Sequence, residues 1–273
     1  MDVRVLGPLQ VTIGQAAVMP SAAKPRKVLA MLALHANEMV PVPALFEELW
    51  GDAVPRKAST TLQTYILQLR NLIAPALSRD PATAGLDAKD VIATQPGGYL
   101  LHVPQPAVDA GEFERLAAVG HRAHERGDFP RAAQLFRDAL AYWRGTALAD
   151  IQLGALLAVE CRRLEETRIN TLDRRIDADL RMGRHHEIIG ELTALVARNR
   201  TNEGLSAHLM VALHRCGRRG DAIGVYRGLR ASLVADLGLE PSPLLHRLHR
   251  HILTADAPLA YDVPPVRELQ RAS

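Results

Sequence analysis

The chain has 273 residues, room for two ordinary domains; 48% are hydrophobic but only 4% aromatic, so its cores must be built from Ala, Leu, Val and Ile, a composition that favours helices. The formal net charge of +3 is too small to point to a polyanionic partner by itself, although all four lysines (Lys24, Lys27, Lys57, Lys89) fall in the first third and only arginine is used afterwards, a bias typical of a GC-rich genome. No apolar run reaches the ~18 residues of a membrane span, the start MDVRVLGPLQV lacks the layout of a signal peptide, and Cys161 and Cys216 have no ligand-spaced neighbours, so both read as small buried hydrophobes of a reducing cytoplasm.

In chain order, residues 3 to 19 read as short strands: Val3, Val5 and Leu6 run into Gly7-Pro8, and Leu9, Val11 and Ile13 then alternate with polar residues up to Gly14. Helical periodicity starts after Lys24, with Pro25 suited to a first helical position and Val28, Leu29, Met31, Leu32 and Leu34 as the core face. A second short helix is expected from Pro43 to Trp50, burying Leu45, Phe46, Leu49 and Trp50, with Gly51 as its stop. A third helix is expected from Ala58 to Ile73, and residues 75 to 90 read as a loop. Val91-Ile92-Ala93, Gln95-Pro96-Gly97-Gly98 and Tyr99-Leu100-Leu101 read as a hairpin, its two glycines supplying positive φ at the turn. Strands, three helices and a terminal hairpin make a winged helix-turn-helix, in which the third helix enters the major groove and the hairpin is the wing.

The third helix, ASTTLQTYILQLRNLI, carries the functional signal. Leu62, Ile66, Leu69 and Ile73 form one apolar stripe. The opposite face holds Thr60, Gln63, Thr64, Leu67, Gln68 and Asn71, whereas an ordinary solvated face favours Glu and Lys. Thr, Gln and Asn can donate to and accept from base edges, and an apolar side chain can meet a thymine methyl. No acidic residue lies between Asp52 and Asp80, while Arg56, Lys57, Arg70 and Arg79 are basic. A plain polar-faced helix of a globular domain fits this segment equally well.

The stretch PQPA (104 to 107) reads as a stiff linker. Beyond it Asp109 and Glu112 form an N-capping pattern, and helices are expected over 110–126, 129–143, 151–182, 185–199, 203–216, 219–236 and 242–254. Gly127, Gly183 and Gly217 open similar stretches: Ala132, Ile188 and Ala222 follow five residues on, and Phe136, Leu192 and Tyr226 nine residues on. The last two copies are 34 residues apart, the tetratricopeptide period. The fold class expected is mainly α with small β: a winged-helix domain over residues 1–104, a tetratricopeptide-like all-α domain over 108–254, and a proline-containing tail over 255–273 with no packed structure.

These residues resemble a known family, the Streptomyces antibiotic regulatory proteins in their short form. VLGPLQV (Val5 to Val11), LALHAN (Leu32 to Asn37), LFEELWG (Leu45 to Gly51), TLQTYILQLR (Thr61 to Arg70) and PGGYLL (Pro96 to Leu101) are similar to an OmpR-class winged helix. ALAYWRGTALAD (Ala139 to Asp150), LHRCGRRGDAIGVYRGLR (Leu213 to Arg230) and LVADLGLEPSPLLHRLHRHIL (Leu233 to Leu253) are similar to the bacterial transcriptional activator domain. The resemblance covers about residues 1 to 254 and implies an activator of secondary-metabolite gene clusters that binds promoter direct repeats and recruits RNA polymerase. Family members usually carry several arginines late in the recognition helix; Gln68 and Asn71 stand there instead, which implies a different base preference and fewer phosphate contacts.

No nucleotide-binding loop, zincin or nucleophile-elbow motif occurs, and no acidic receiver precedes the winged helix, so no enzyme, cofactor or phosphorelay is expected. His246, His249 and His251 share one helix and His121 and His124 another, without Cys or acidic partners at metal-ligand spacing, so no metal is expected. Glu165-Glu166 and the Arg–Glu neighbours around them read as a solvated face. In the resulting assignment Arg56, Lys57 and Arg70 bind phosphates, and Thr60, Gln63, Thr64, Leu67, Gln68 and Asn71 face bases, with Thr61 and Tyr65 at the same interface. The wing residues Gln95, Gly97, Gly98 and Tyr99 meet the flanking DNA. Lys24 and Arg26, with Lys27, either grip phosphate at the start of the first helix or only solubilise it. The partners expected are double-stranded promoter DNA, RNA polymerase holoenzyme and a second copy of the chain on DNA, without a membrane. A helical-repeat scaffold whose N-terminal domain binds protein, and a repressor with the same fold, also fit; steep salt dependence separates DNA binding from the scaffold.

Overall fold

A computed structural model describes residues 1–104 and 108–254. Most of the linker (105–107) and the expected tail (255–273) lie outside the described residues. Contacts divide the chain into two compact units: Met1–Leu116 with Asp138–Arg168, and Ala117–Arg137 with the residues from Ile169 onward. No helix among the described residues is long and apolar enough to cross a membrane.

The first unit opens with an antiparallel sheet of β1 (Asp2–Arg4), β2 (Gln10–Ile13) and β3 (Ala16–Ala17), with Val3 opposite Val11. Then come α1 (Ala23–Leu34), the three-residue strand β4 (Met39–Pro41), α2 (Val42–Trp50) and α3 (Ala58–Arg79). A short helix α4 (Ala88–Val91) leads into β5 (Ile92–Gln95) and β6 (Gly98–Leu101), and a second antiparallel sheet is ordered β4-β6-β5. α1 packs on both α2 and α3. Val28, Leu29 and Leu32 of α1, Leu45 of α2 and the α3 stripe are all buried.

Several expectations are corrected here. α3 runs past Ile73 to Arg79, because Ala76 and Leu77 continue the buried stripe at helical spacing. Pro75 lies on the exposed side, where water can satisfy the carbonyl that its missing N–H leaves free. The supposed loop 75–90 thus holds the end of α3, a 3-10 turn (Pro81–Thr83) and α4, which Asp87 and Asp90 cap reciprocally. At the hairpin only Gly97 has positive φ, +83°. Gly98 is glycine for another reason: a Cβ there would run into Met39 Sδ and the Val40 carbonyl on the paired strand β4. In α2, Phe46 and Trp50 are only half-buried, and the position the pattern missed is Glu48, 2% exposed.

Glu48 is buried because it caps another helix. Its carboxylate accepts from the backbone N–H groups of Gly154 (2.5 Å), Leu156 (3.1 Å) and Leu157 (3.0 Å), at the start of α7 (Ala155–Arg181). Lys27 Nζ lies 3.7 Å from the same carboxylate. Gly154 has no room for a Cβ against Glu48. Two more carboxylates join distant parts of this unit. Asp109, the first residue of α5 (Asp109–Glu125), accepts from Val5 N–H (2.7 Å) and Leu6 N–H (3.1 Å) instead of forming the expected capping pair with Glu112, which binds Arg115. Burial raises the Asp109 pKa against the lowering effect of those N–H groups and of Arg144. Asp150 accepts from Leu9 N–H at 2.7 Å.

In the second unit α8 (His185–Arg198) packs on α9 (Glu203–Arg215), α9 on α10 (Arg219–Leu237), and α10 on α11 (Pro243–Thr254). The repeat glycines Gly127, Gly183 and Gly217 all adopt left-handed φ, +77°, +78° and +74°. At each, the N–H after the glycine returns to a carbonyl five residues earlier (Asp128 to Ala123, Arg184 to Asp179, Arg218 to Leu213), a Schellman ending. Ala132, Ile188 and Ala222 are buried, as are Phe136, Leu192 and Tyr226. Gly120, which periodicity did not single out, lets Phe136 of α6 (Phe129–Leu140) lie directly against the α5 backbone.

The solvated-face reading of α7 holds around Glu165 and Glu166 but fails further on, where Asp173, Arg175, Asp177 and Asp179 are buried. Each finds an opposite charge or a histidine: His208 meets Asp173 at 2.8 Å, Arg175 meets Glu191 at 2.7 Å, His124 meets Asp177 at 2.6 Å, and Arg137 meets Asp179 at 3.1 Å. His246 bonds the Tyr226 hydroxyl (2.7 Å) and His249 stacks on the Tyr226 ring (3.8 Å). Cys161 is buried as expected, whereas Cys216 is only half-buried.

Candidate nucleic-acid interface

α3 presents two chemically distinct faces. Leu62, Ile66, Leu69 and Ile73 are 0–2% exposed and anchor it. Thr60, Gln63, Thr64, Leu67, Gln68 and Asn71 are all exposed, Leu67 to 56%, so the structure brings the six expected base-facing residues onto one accessible face. Ser59, exposed one turn before Gln63, belongs to the same row; its spacing of four from Gln63 was the available signal. Thr61 and Tyr65 are half-buried at the flank.

Two of the threonine hydroxyls are committed as donors. Thr64 Oγ1 donates to the Thr60 carbonyl and Thr61 Oγ1 to the Lys57 carbonyl, each at 3.0 Å. Thr64 therefore offers outward a hydroxyl lone pair and a methyl group, not a donor. Gln63, Gln68 and Asn71 keep both the donor and the acceptor of their amides.

The helix start is electropositive. Its first turn holds no acid, and Lys57 at the N-cap position makes no side-chain cap bond, so the opening N–H groups add to the charges of exposed Arg56 and Lys57. The first-helix cations behave differently. Arg26 pairs with Asp150 at 3.3 Å, and Lys27 donates to the Glu48 carbonyl. Lys24 is exposed and stands 5.2 Å over the Trp50 ring. Two of these three side chains are therefore spent inside the first unit.

The wing also divides. Gln95, Pro96 and Gly97 are exposed at its tip, but Gly98 and Tyr99 are buried, Tyr99 opposite Val40 and Thr94 in the sheet, so neither is placed to touch DNA as expected. Arg70, expected to bind phosphate, is half-buried and turned toward β5, where it donates to the Ile92 carbonyl and the Thr94 hydroxyl. Exposed Thr94 was missed, since strand alternation alone does not show which wing residue meets the helix.

Comparison with known proteins places this geometry. Residues 18–99 match the C-terminal domain of transcriptional regulatory proteins, and residues 108–253 match the bacterial transcriptional activator domain. The chain is 47% identical over 266 residues to the regulatory protein DnrI of Streptomyces peucetius, covering 97% of each chain. It is 33% identical to the transcriptional regulator RedD of Streptomyces coelicolor, over 94% of this chain and 71% of RedD. The structure of Mycobacterium tuberculosis EmbR in complex with a low-affinity phosphopeptide superposes with a TM-score of 0.84 at 32% identity, covering 99% of this chain and 68% of EmbR. With a winged-helix-like domain ahead of a helical activator domain, and relatives named as regulators along almost its whole length, the chain belongs to the Streptomyces antibiotic regulatory protein family.

Proposed function

We propose that this chain is a sequence-specific DNA-binding activator of an antibiotic biosynthetic gene cluster, working in the cytoplasm on promoter direct repeats. The observation that carries the reading is the exposed, acid-free, amide- and hydroxyl-bearing face of α3, flanked by Arg56 and Lys57. In this reading Gln63, Gln68 and Asn71 read base edges, Thr60 and Thr64 accept from them, and Leu67 meets a thymine methyl. The helix start with Arg56 and Lys57 holds a phosphate, and the tip Gln95–Gly97 lies on the flank. One winged helix reads a short half-site, so two copies on direct repeats about one helical turn apart supply the specificity. The second unit, with its tetratricopeptide-like succession of hairpins, offers the surface for RNA polymerase.

The test is a binding titration over a salt series, using a duplex selected by the full chain from random sequence. Arg56→Ala and Lys57→Ala should each weaken binding to all sequences and lower the salt slope by about one unit. Unchanged slopes in both variants would remove the phosphate assignment. In-vitro transcription with purified polymerase tests activation: a repressor or a scaffold would give no rise in transcript.

A further inference from the structure

The helix and the hairpin of the first unit are buckled together by one side chain. Arg70 leaves α3 directly after buried Leu69 and two residues after exposed Gln68. Its Nε and Nη2 donate to the Ile92 carbonyl at 3.0 and 2.6 Å, and Nη2 also donates to Thr94 Oγ1 at 2.9 Å. β5 is the edge strand of the β4-β6-β5 sheet. Edge strands carry outward carbonyls without a ladder partner, and Arg70 occupies one of them. The Ile92 N–H is held separately, by the Ala88 carbonyl at the end of α4. Position 92 is thus fixed from both sides, two and three residues before exposed Thr94 and Gln95, which lead into the turn at Pro96-Gly97.

The chemistry of the fork matters. Both acceptors are neutral, so no carboxylate is spent on this cation and no acid is brought to the DNA-facing side. A planar guanidinium spans a carbonyl and a hydroxyl together, which a lysine ammonium on a flexible stem does not reproduce. Arg70 follows Gln63 by two turns on the same flank of the helix, and its guanidinium is directed to β5.

We propose that Arg70 is a positioning residue, which sets the spacing between the reading helix and the wing and so determines where on the flanking DNA the Gln95–Gly97 tip lands. This rests on the DNA-binding reading above. It departs from a phosphate-ligand role for Arg70 in one measurable respect: Thr94 carries no charge, yet its hydroxyl should matter in the same way.

The experiment is hydroxyl-radical footprinting of the full chain on a duplex selected from random sequence by the wild-type protein, with Arg70→Met, Arg70→Lys, Thr94→Val and Thr94→Ser. Tryptophan fluorescence confirms folding of each variant. The positioning role predicts that Thr94→Val and Arg70→Met keep protection at the base-read segment but lose or shift it on the wing side. It also predicts that Arg70→Lys does not restore that protection and that Thr94→Ser does. Affinity should fall about 2- to 10-fold in Thr94→Val, the range of one hydrogen bond, with no change in salt slope. Wing-side protection unchanged in Thr94→Val, with a slope lowered by about one unit in Arg70→Met, would overturn the proposal and restore Arg70 as a phosphate ligand. If Arg70→Met does not fold, the Thr94 pair decides alone. A wild-type protein that protects no duplex overturns the DNA-binding reading itself, a result distinct from either of these.

Discussion

Replacing Glu48 should destabilise the first unit out of proportion to its place on a short helix. The carboxylate is 2% exposed and accepts three backbone N–H groups, from Gly154, Leu156 and Leu157, beside the Lys27 ammonium. In Glu48→Ala the three donors lose their partner, and Lys27 keeps only the backbone carbonyl of residue 48. An unsatisfied buried donor costs about 1–3 kcal/mol, breaking a buried charged pair about 3–5 kcal/mol, and these overlap, so the expected loss is about 3–5 kcal/mol. Glu48→Gln keeps one oxygen, able to serve Leu156 and Leu157, but turns an amide N–H₂ toward the Gly154 N–H and Lys27. Its cost should be nearer one lost charge-assisted bond, about 1.5–3 kcal/mol. Both tryptophans, Trp50 and Trp143, belong to the first unit, so fluorescence-monitored urea unfolding of the full chain reports this unit specifically. The order wild type, Gln, Ala in midpoint is expected. A loss below about 0.5 kcal/mol for Glu48→Ala, the scale of an ordinary surface change, would refute the reasoning. The same contacts predict that a fragment ending at Pro104 unfolds more easily than the intact chain, since it lacks the three backbone N–H donors to Glu48, the Asp109 carboxylate and Asp150.

Leu69→Ala should cost about 2–5 kcal/mol in the same fluorescence assay, because the side chain is fully buried on the anchoring stripe; a change under about 0.5 kcal/mol would mean that α3 is rotated and its outer face misassigned. Burial pushes the Cys161 thiol up to about 11, whereas Cys216 is half-exposed, so a thiol alkylating reagent near pH 8 should label Cys216 first, and mass spectrometry showing Cys161 labelled first would contradict this. His185, His214 and His249 are held below the ordinary histidine pKa, first by burial and then by nearby cations: Arg215 and His186 at His185, His251, Arg219 and Arg215 at His214, and His246 and Arg227 at His249. The unfolded chain then takes up protons before the folded one, so stability is fully present above the unfolded value of about 6.5 and is lost as pH falls through it toward the lower folded values. Circular dichroism should show the second unit unfolding at lower urea near pH 5.5 than near pH 7.5, and equal midpoints would contradict the assignment.

Much of this fold was legible because the signals were local. The α3 stripe and its outer row follow from helical spacing alone, and the repeat glycines marked three left-handed helix endings whose following residues, Ala132, Ile188, Ala222, Phe136, Leu192 and Tyr226, are all buried. What escaped depends on partners far along the chain. Glu48 stands on the same stripe as Leu45 and Leu49, yet nothing nearby identifies N–H groups more than a hundred residues away as its reason for burial. Arg70 and the first-helix cations Arg26 and Lys27 look like free charges in sequence, and it is tertiary placement that gives them Ile92, Asp150 and Glu48. The buried charges of α7 are a further case: nothing local in Asp173, Asp177 and Asp179 announces burial, and only the packing of His124, Arg137 and His208 shows it. The burial of Gly98 and Tyr99 on β6 was not legible either, because β4, the strand paired with them, is three residues long and too short for alternation to reveal.

The central claim, that the outer face of α3 reads bases, is tested most directly by selecting DNA from random sequence with the wild-type chain and with Gln68→Ala side by side. Gln68 is exposed and outside the core, so folding should be unaffected. If its amide reads a base edge, the selected motif should relax at one position while the others stay, with a loss of about 1–3 kcal/mol for the preferred base at that position. An identical motif bound with identical affinity by both proteins, repeated for Gln63→Ala and Asn71→Ala, would contradict the account.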